Sequence, residues 1–106
     1  MTTAKFDRNA ARMVLEAKIG WLELDQEMID PNSPEGDLMT IITNERINDL
    51  SPILEIIDQD WSDKELMEPI DERIGFIKDS YPDDKWTQRR IADLNKVKVV
   101  LMGQDA

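Results

Sequence analysis

Apolar residues recur at helical spacing along almost the whole chain. Over residues 5–29, Ala10, Val14, Ala17, Trp21, Leu24 and Met28 alternate in steps of four and three. That is close to a heptad, and it predicts one long helix with this seam turned inward. Ile19 and Leu22 stand roughly opposite the seam, beside Glu16 and Glu23. They imply either a helix buried on two sides or a second interface, to a copy of the chain or to another partner.

Asp30-Pro31-Asn32-Ser33-Pro34 breaks the first helix, because proline cannot continue one. Ser33 followed by Pro34 reads as a start signal for a second helix, with Leu38, Met39, Ile42, Ile47 and Leu50 as its apolar side. Ser51-Pro52 repeats that signal. Ile53, Leu54 and Ile57 nevertheless keep the apolar phase of Met39, Ile42 and Leu50, which favours one unit kinked at Pro52 over two short helices. Ser62-Asp63-Lys64-Glu65 fits a capping box. It opens a third helix whose seam is Met67, Ile70, Ile74, Ile77 and Tyr81, with Pro69 marking a kink or restart. Beyond Tyr81-Pro82, a fourth helix is expected from Asp83 to Met102, with Trp86, Leu94, Val97 and Leu101 inward. Residues 97–102 resemble a short strand, but a strand there would have no partner. The fold class expected is all-α, an up-and-down bundle of four helices, or five if Ser51-Pro52 splits the second. At 106 residues it forms one domain, 1–106.

Charge changes this picture more than size does. The chain has 23 acids, 13 bases and a net charge of −10. Residues 1–19 carry +2, residues 20–79 carry −13 and residues 80–106 carry +1. Such a field repels nucleic acid and anionic lipid and attracts basic protein surfaces. Cysteine and histidine are both missing. That removes disulfides, thiolate metal sites, cysteine nucleophiles and the commonest general base. The N-terminus lacks the apolar stretch of a signal peptide, and no run approaches the roughly 18 apolar residues of a membrane span. A cytoplasmic location is expected, with no membrane partner and no cofactor.

The candidate chemistry lies in ELMEPIDERIGFIKD, residues 65–79. Glu65, Glu68, Glu72 and Asp79 fall on one face of the third helix, away from its isoleucines, and Phe76 lies near the same line. Amphipathicity alone accounts for such a row as a solvated face. A metal site would need oxygen ligands, suited to magnesium or manganese. Glu65-x-x-Glu68 and Glu55-x-x-Asp58 have the spacing that all-α nucleotide pyrophosphohydrolases use, though in reversed chain order. Residues 58–69 fail as a calcium loop, since Asp63 stands at the glycine position and Pro69 at the terminal glutamate position. A protein-facing surface is the remaining reading. One helical row is too sparse to imitate duplex DNA. Mimicry would need more rows, such as Glu16, Glu23, Glu27 and Asp30, and Glu35, Asp37, Glu45, Asp49, Glu55, Asp58, Asp60 and Asp63. Trp61 is expected in the core. Arg89, Arg90, Lys96 and Lys98 are expected to pair with acids of a neighbouring helix or a second subunit.

The function expected is therefore non-catalytic. The chain reads as an acidic protein-binding module, an inhibitor or adaptor docking on a basic and nucleic-acid-binding protein. Its contact residues would be Glu65, Glu68, Glu72, Phe76 and Asp79, with Ile19, Leu22 and Glu23 as a second patch. Two other classes stay open: a structural homo-oligomer such as a homodimer, and a magnesium- or manganese-dependent pyrophosphohydrolase.

Overall fold

A computed structural model describes residues 7–30 and 32–103. It contains four helices: α1 (Arg8–Met28), α2 (Gly36–Ile57), α3 (Asp63–Ser80) and α4 (Lys85–Leu101). No strand occurs among the described residues, and residues 97–101 close α4. Three of the four helix starts follow from local side-chain chemistry. The Asp7 carboxylate accepts the Ala10 N–H at 3.1 Å. Ser62 and Glu65 form the reciprocal capping box of α3. Asp84 accepts the N–H groups of Trp86 and Thr87 at 3.0 and 2.9 Å. α2 lacks a side-chain cap. Its expected start at Ser33-Pro34 is instead a turn, in which Ser33 donates to the Asp30 carbonyl and accepts the Gly36 N–H. Gly36 is required there, because a Cβ would collide with the Asp30 carbonyl.

α2 runs unbroken through Pro52, as one unit, and α3 runs through Pro69. The topology is up-and-down. Arg12 meets Asp58 and Gln26 meets Asn44, so α1 and α2 run antiparallel. Tyr81 reaches Glu45 and Arg73 reaches Asp49, so α3 returns along α2. The Asp7 N–H donates to the Leu101 carbonyl and Lys18 reaches Asp93, which aligns α4 against α1. α2 and α4 pack across the short diagonal. α1 and α3 lie across the long one and meet at their ends, where Arg8 reaches Asp63.

The core is one cluster with a stripe from each helix: Ala11, Leu15, Ile19 and Leu22; Leu50, Ile53 and Ile57; Leu66, Ile70, Ile74 and Ile77; Leu94, Val97, Val100 and Leu101. Fully burying side chains of this size stabilises the fold by about 1.5–3 kcal/mol each. The α3 and α4 seams match in most positions: Ile70, Ile74, Ile77, Leu94, Val97 and Leu101 are buried as expected, Met67, Tyr81 and Trp86 are only half-buried, and Leu66 joins the core beside them. α1 does not match. Its buried stripe includes Ile19 and Leu22, which removes that pair from any exposed patch. Ala17, Trp21, Leu24 and Met28, expected inside, are exposed.

The observed phase buries the aliphatic Leu15, Ile19 and Leu22, and electrostatics favours it too. Arg8, Arg12, Lys18 and Gln26 flank the Ala11–Leu22 stripe, and each finds an acceptor on another helix or loop. In a chain so rich in acid, the face that carries cations gains most by turning inward. The bundle's middle shows the same preference. Asp49 is 2 % exposed and accepts Arg90 through two bonds of 2.9 Å and Arg73 through one of 2.7 Å. Arg90 also donates to Glu45 at 3.0 Å and lies over the Tyr81 ring. Asp93 accepts Arg46 at 2.8 and 3.0 Å, and Lys18 at 3.5 Å. Four cations and three carboxylates thus interlock all four helices, and no buried side-chain nitrogen or oxygen is left without a partner among the described residues. Hydrogen bonding to Asp49 and Asp93 raises Arg90 and Arg46 above the ordinary arginine value, so both stay charged.

Candidate functional site

The outer face of α3 carries Glu65, Glu68, Glu72, Phe76 and Asp79, all exposed. The four α3 core residues hold this orientation by fixing the opposite side of the helix. At about 1.5 Å of rise per residue, Glu65 and Asp79 stand about 21 Å apart along the axis. Two aromatic rings bracket the row. Phe76 is 48 % exposed, packs edge-on against Tyr81 with centroids 6.2 Å apart, and has the Arg73 guanidinium 5.1 Å from its ring centre. Trp61, expected in the core, is 36 % exposed. It sits in the α2–α3 loop, where no core stripe extends to cover it.

Trp61 joins the acids to an apolar groove. One depression of about 220 Å³ is lined by Trp61, Glu65, Glu68, Pro69 and Glu72. A second, of about 320 Å³, runs between α2 and α3 and shares Trp61 and Pro69. Its other walls include Pro52, Ile53 and Ile56, with Asp49 and Arg73 at one end. Pro52 and Pro69 form part of its walls. The site therefore combines apolar walls and an aromatic face with carboxylates along one rim.

Not every expected residue belongs to it. Glu23 is exposed on α1, across the bundle's long diagonal from α3. Ile19 and Leu22 are inside. Asp49, expected among the surface acids, is the most enclosed member of the ion network, and Glu45 is half-buried beside it. A continuous acidic surface built on those two positions is thus interrupted. Arg90 and Lys98 pair with acids of neighbouring helices, Lys98 reaching Asp71 at 2.6 Å. Among the described residues, no three carboxylates converge closely enough to hold a metal ion. No helix among them is long and apolar enough to cross a membrane. The groove was missed in the sequence because Pro52 and Pro69 read only as local features of their own helices, kinks or restarts. Their shared position facing Trp61 is a tertiary property. Comparison with protein-family models, curated proteins and solved structures finds no match to this chain.

Proposed function

We propose that the chain is a non-catalytic binding module that docks a basic protein segment along the outer face of α3. The observation that carries this reading is the Trp61–Pro69 groove opening onto Glu65, Glu68 and Glu72. An arginine or lysine from a partner would lay its methylene stem on Trp61 and Pro69 and its charged head among the carboxylates. That is how long cationic side chains partition between apolar and polar surroundings. The indole face adds a cation–π attraction of about 0.5–2 kcal/mol. Phe76 would anchor the other end of the segment, ringed by Glu72 and Asp79. Steering by the acid row speeds encounter and selects against acidic partners. An inhibitor or adaptor of a basic, nucleic-acid-handling protein is the most specific role of this kind.

The test is capture from a lysate on immobilised wild-type protein and on Glu68→Lys with Glu72→Lys, washed at low and then high salt. Wild type should retain basic proteins that high salt releases, and the double reversal should lose them. Glu65 is best left intact in this comparison, because it also closes the α3 capping box. Equal retention by the reversed variant would sink the reading.

A further inference from the structure

We infer that the trough between α2 and α3 seats one amphipathic helix of a partner protein, about 18 residues long, with its cations gathered at one end. This occupancy rests on the binding role proposed for the α3 face, and it adds the shape and extent of what binds. The trough is built on an outward stripe of α2. Leu38, Ile41, Glu45, Asn48, Pro52 and Ile56 follow one another at steps of three and four, so they share one side of the helix. The groove at Trp61 takes its α2 wall from the second half of this stripe, Asn48 to Ile56. A further depression of about 220 Å³ takes its wall from the first half, Leu38 to Glu45, and is closed by Tyr81, Pro82 and Trp86. Leu38 and Ile41 there are 52 % and 55 % exposed. Phe76 bridges the two depressions. Its ring centre lies 6.2 Å from that of Tyr81, in one wall, and 5.1 Å from the Arg73 guanidinium, in the other.

Length and backbone chemistry choose the form of the occupant. From Leu38 to Ile56 the stripe runs about 27 Å along α2, the length of about 18 helical residues. The walls are helices, and no strand edge is offered among the described residues. An extended segment would set its own N–H and C=O groups unpaired against Ile41, Pro52 and Ile56. A helix bonds its backbone internally and can pack one apolar ridge between α2 and α3. An amphipathic helix in an apolar groove is read through anchors at that same spacing of three and four.

Charge chooses the partner. The cations lining the two depressions are Arg73 and Arg90, and Asp49 accepts hydrogen bonds from both. Glu65, Glu68 and Glu72 border the trough at its Trp61 end. At the other end, Asp83 and Asp84 stand beside Lys85 and Arg89, which lie over the Trp86 ring, so charge there is near balance. The complementary helix therefore carries its cations over the α3 acids and neutral side chains toward Trp86. A second copy of the chain is the other occupant by shape. Its exposed apolar face on α1 is flanked by Glu16, Glu23 and Glu27, all exposed, which would stand against Glu65, Glu68 and Glu72.

The test uses two labelled synthetic peptides of about 18 residues, alike in composition: leucine, alanine, glutamine and lysine. In one, leucines recur at steps of three and four and the lysines occupy the last two turns. In the other the order is scrambled, so that no face is apolar. Fluorescence anisotropy with the full chain reads binding, and circular dichroism of the mixture reads helix formation. The patterned peptide should bind and gain helical signal, and the scrambled one should bind at least about tenfold more weakly. Leu38→Gln with Ile41→Gln keeps every charge and leaves the α3 acids in place, and it should weaken the patterned peptide about tenfold. Glu68→Lys with Glu72→Lys should weaken it as well. Loss in the charge reversal with no change in the glutamine variant would overturn the trough and leave docking on α3 standing. No loss in either variant would overturn both. Equal binding of the scrambled peptide, or no binding of the patterned one, would also overturn the trough. So would a protein that sediments alone at two chain masses and falls to one in the glutamine variant, because that result gives the trough to a second copy.

Discussion

α1 and α3 are built to one plan and finished differently. Each buries a narrow stripe of four residues and turns the opposite stripe to solvent. In α3 the outer stripe is acidic, so a wheel drawn from the sequence has one apolar side and one answer. In α1 the outer stripe is itself apolar, with Trp21, Leu24 and Met28 outside against Ala11, Leu15, Ile19 and Leu22 inside. Apolar spacing alone leaves two candidate sides. The observed one buries the aliphatic Leu15, Ile19 and Leu22 and also lets Arg8, Arg12 and Lys18 reach Asp63, Asp58 and Asp93. In so acidic a chain, the few bases add a guide to the interior that the hydrophobes do not give.

The largest expected effect tests that claim in the ion network. Asp49→Ala strips Arg90 of two hydrogen bonds and Arg73 of one. Removing one partner of a buried pair costs about 3–5 kcal/mol, read as a lower midpoint in urea. Asp49→Leu combined with Arg90→Met should recover most of the loss, since Arg73 and Glu45 are each about a third exposed and can turn to water. Glu68→Ala and Glu72→Ala on the outer face of α3 should stay within about 0.5 kcal/mol of wild type. Equal losses inside and outside would mean that the network contributes no more than surface charge does.

The next effect addresses α1 directly. Leu15→Ala should cost about 2–5 kcal/mol, while Trp21→Ala, which deletes a far larger side chain, should cost less than about 0.5 kcal/mol in the monomer. Reversal of that order in urea titrations at low protein concentration would restore the heptad seam as the core face. The contrast also marks how far the sequence reaches. Helix number, the continuity of α2 through Pro52, the Ser62 box and the α3 face are all legible, because each rests on local spacing or on a single amphipathic stripe. The phase of α1, the burial of Asp49 and the exposure of Trp61 are not. Each depends on which side chain on another helix lies within reach, and one-dimensional spacing does not encode that. A pairing argument was nonetheless available: Arg90 needed an acid on a neighbouring helix, and Asp49 with Glu45 offered two on one face of α2.

A smaller effect separates the structural duty of the α3 row from its binding duty. The Ser62 hydroxyl accepts the Glu65 N–H at 3.1 Å, and the Glu65 carboxylate accepts the Ser62 N–H at 3.4 Å. Ser62→Ala should therefore cost about 1 kcal/mol and leave partner capture at neutral pH unchanged. A variant that loses capture without losing stability would show that the loop carrying Trp61, and not the helix, sets the geometry of the groove.

The smallest effect concerns Asp84, a carboxylate that belongs neither to the network nor to the acid row. Its carboxyl is held below the ordinary value of 3.8, first by the Thr87 N–H, against some loss of solvation, with the Thr87 hydroxyl and the Trp86 N–H adding to the effect. Because the folded state binds this proton less tightly than the unfolded chain does, the ionised form favours folding. The contribution is fully present above the unfolded value and fades as pH falls through the folded one. Asp84→Asn keeps a competent cap but removes the charge that complements the helix N-terminus. Wild type should melt slightly higher than Asp84→Asn near neutral pH, and the gap should close below pH 3.8. The other carboxylates titrate in both proteins and cancel in the difference. A gap that persists into acid would assign the cap's value to hydrogen-bond geometry. It would also confine charge-driven stability in this fold to pairs sealed between helices, the side of the comparison on which Asp49 stands.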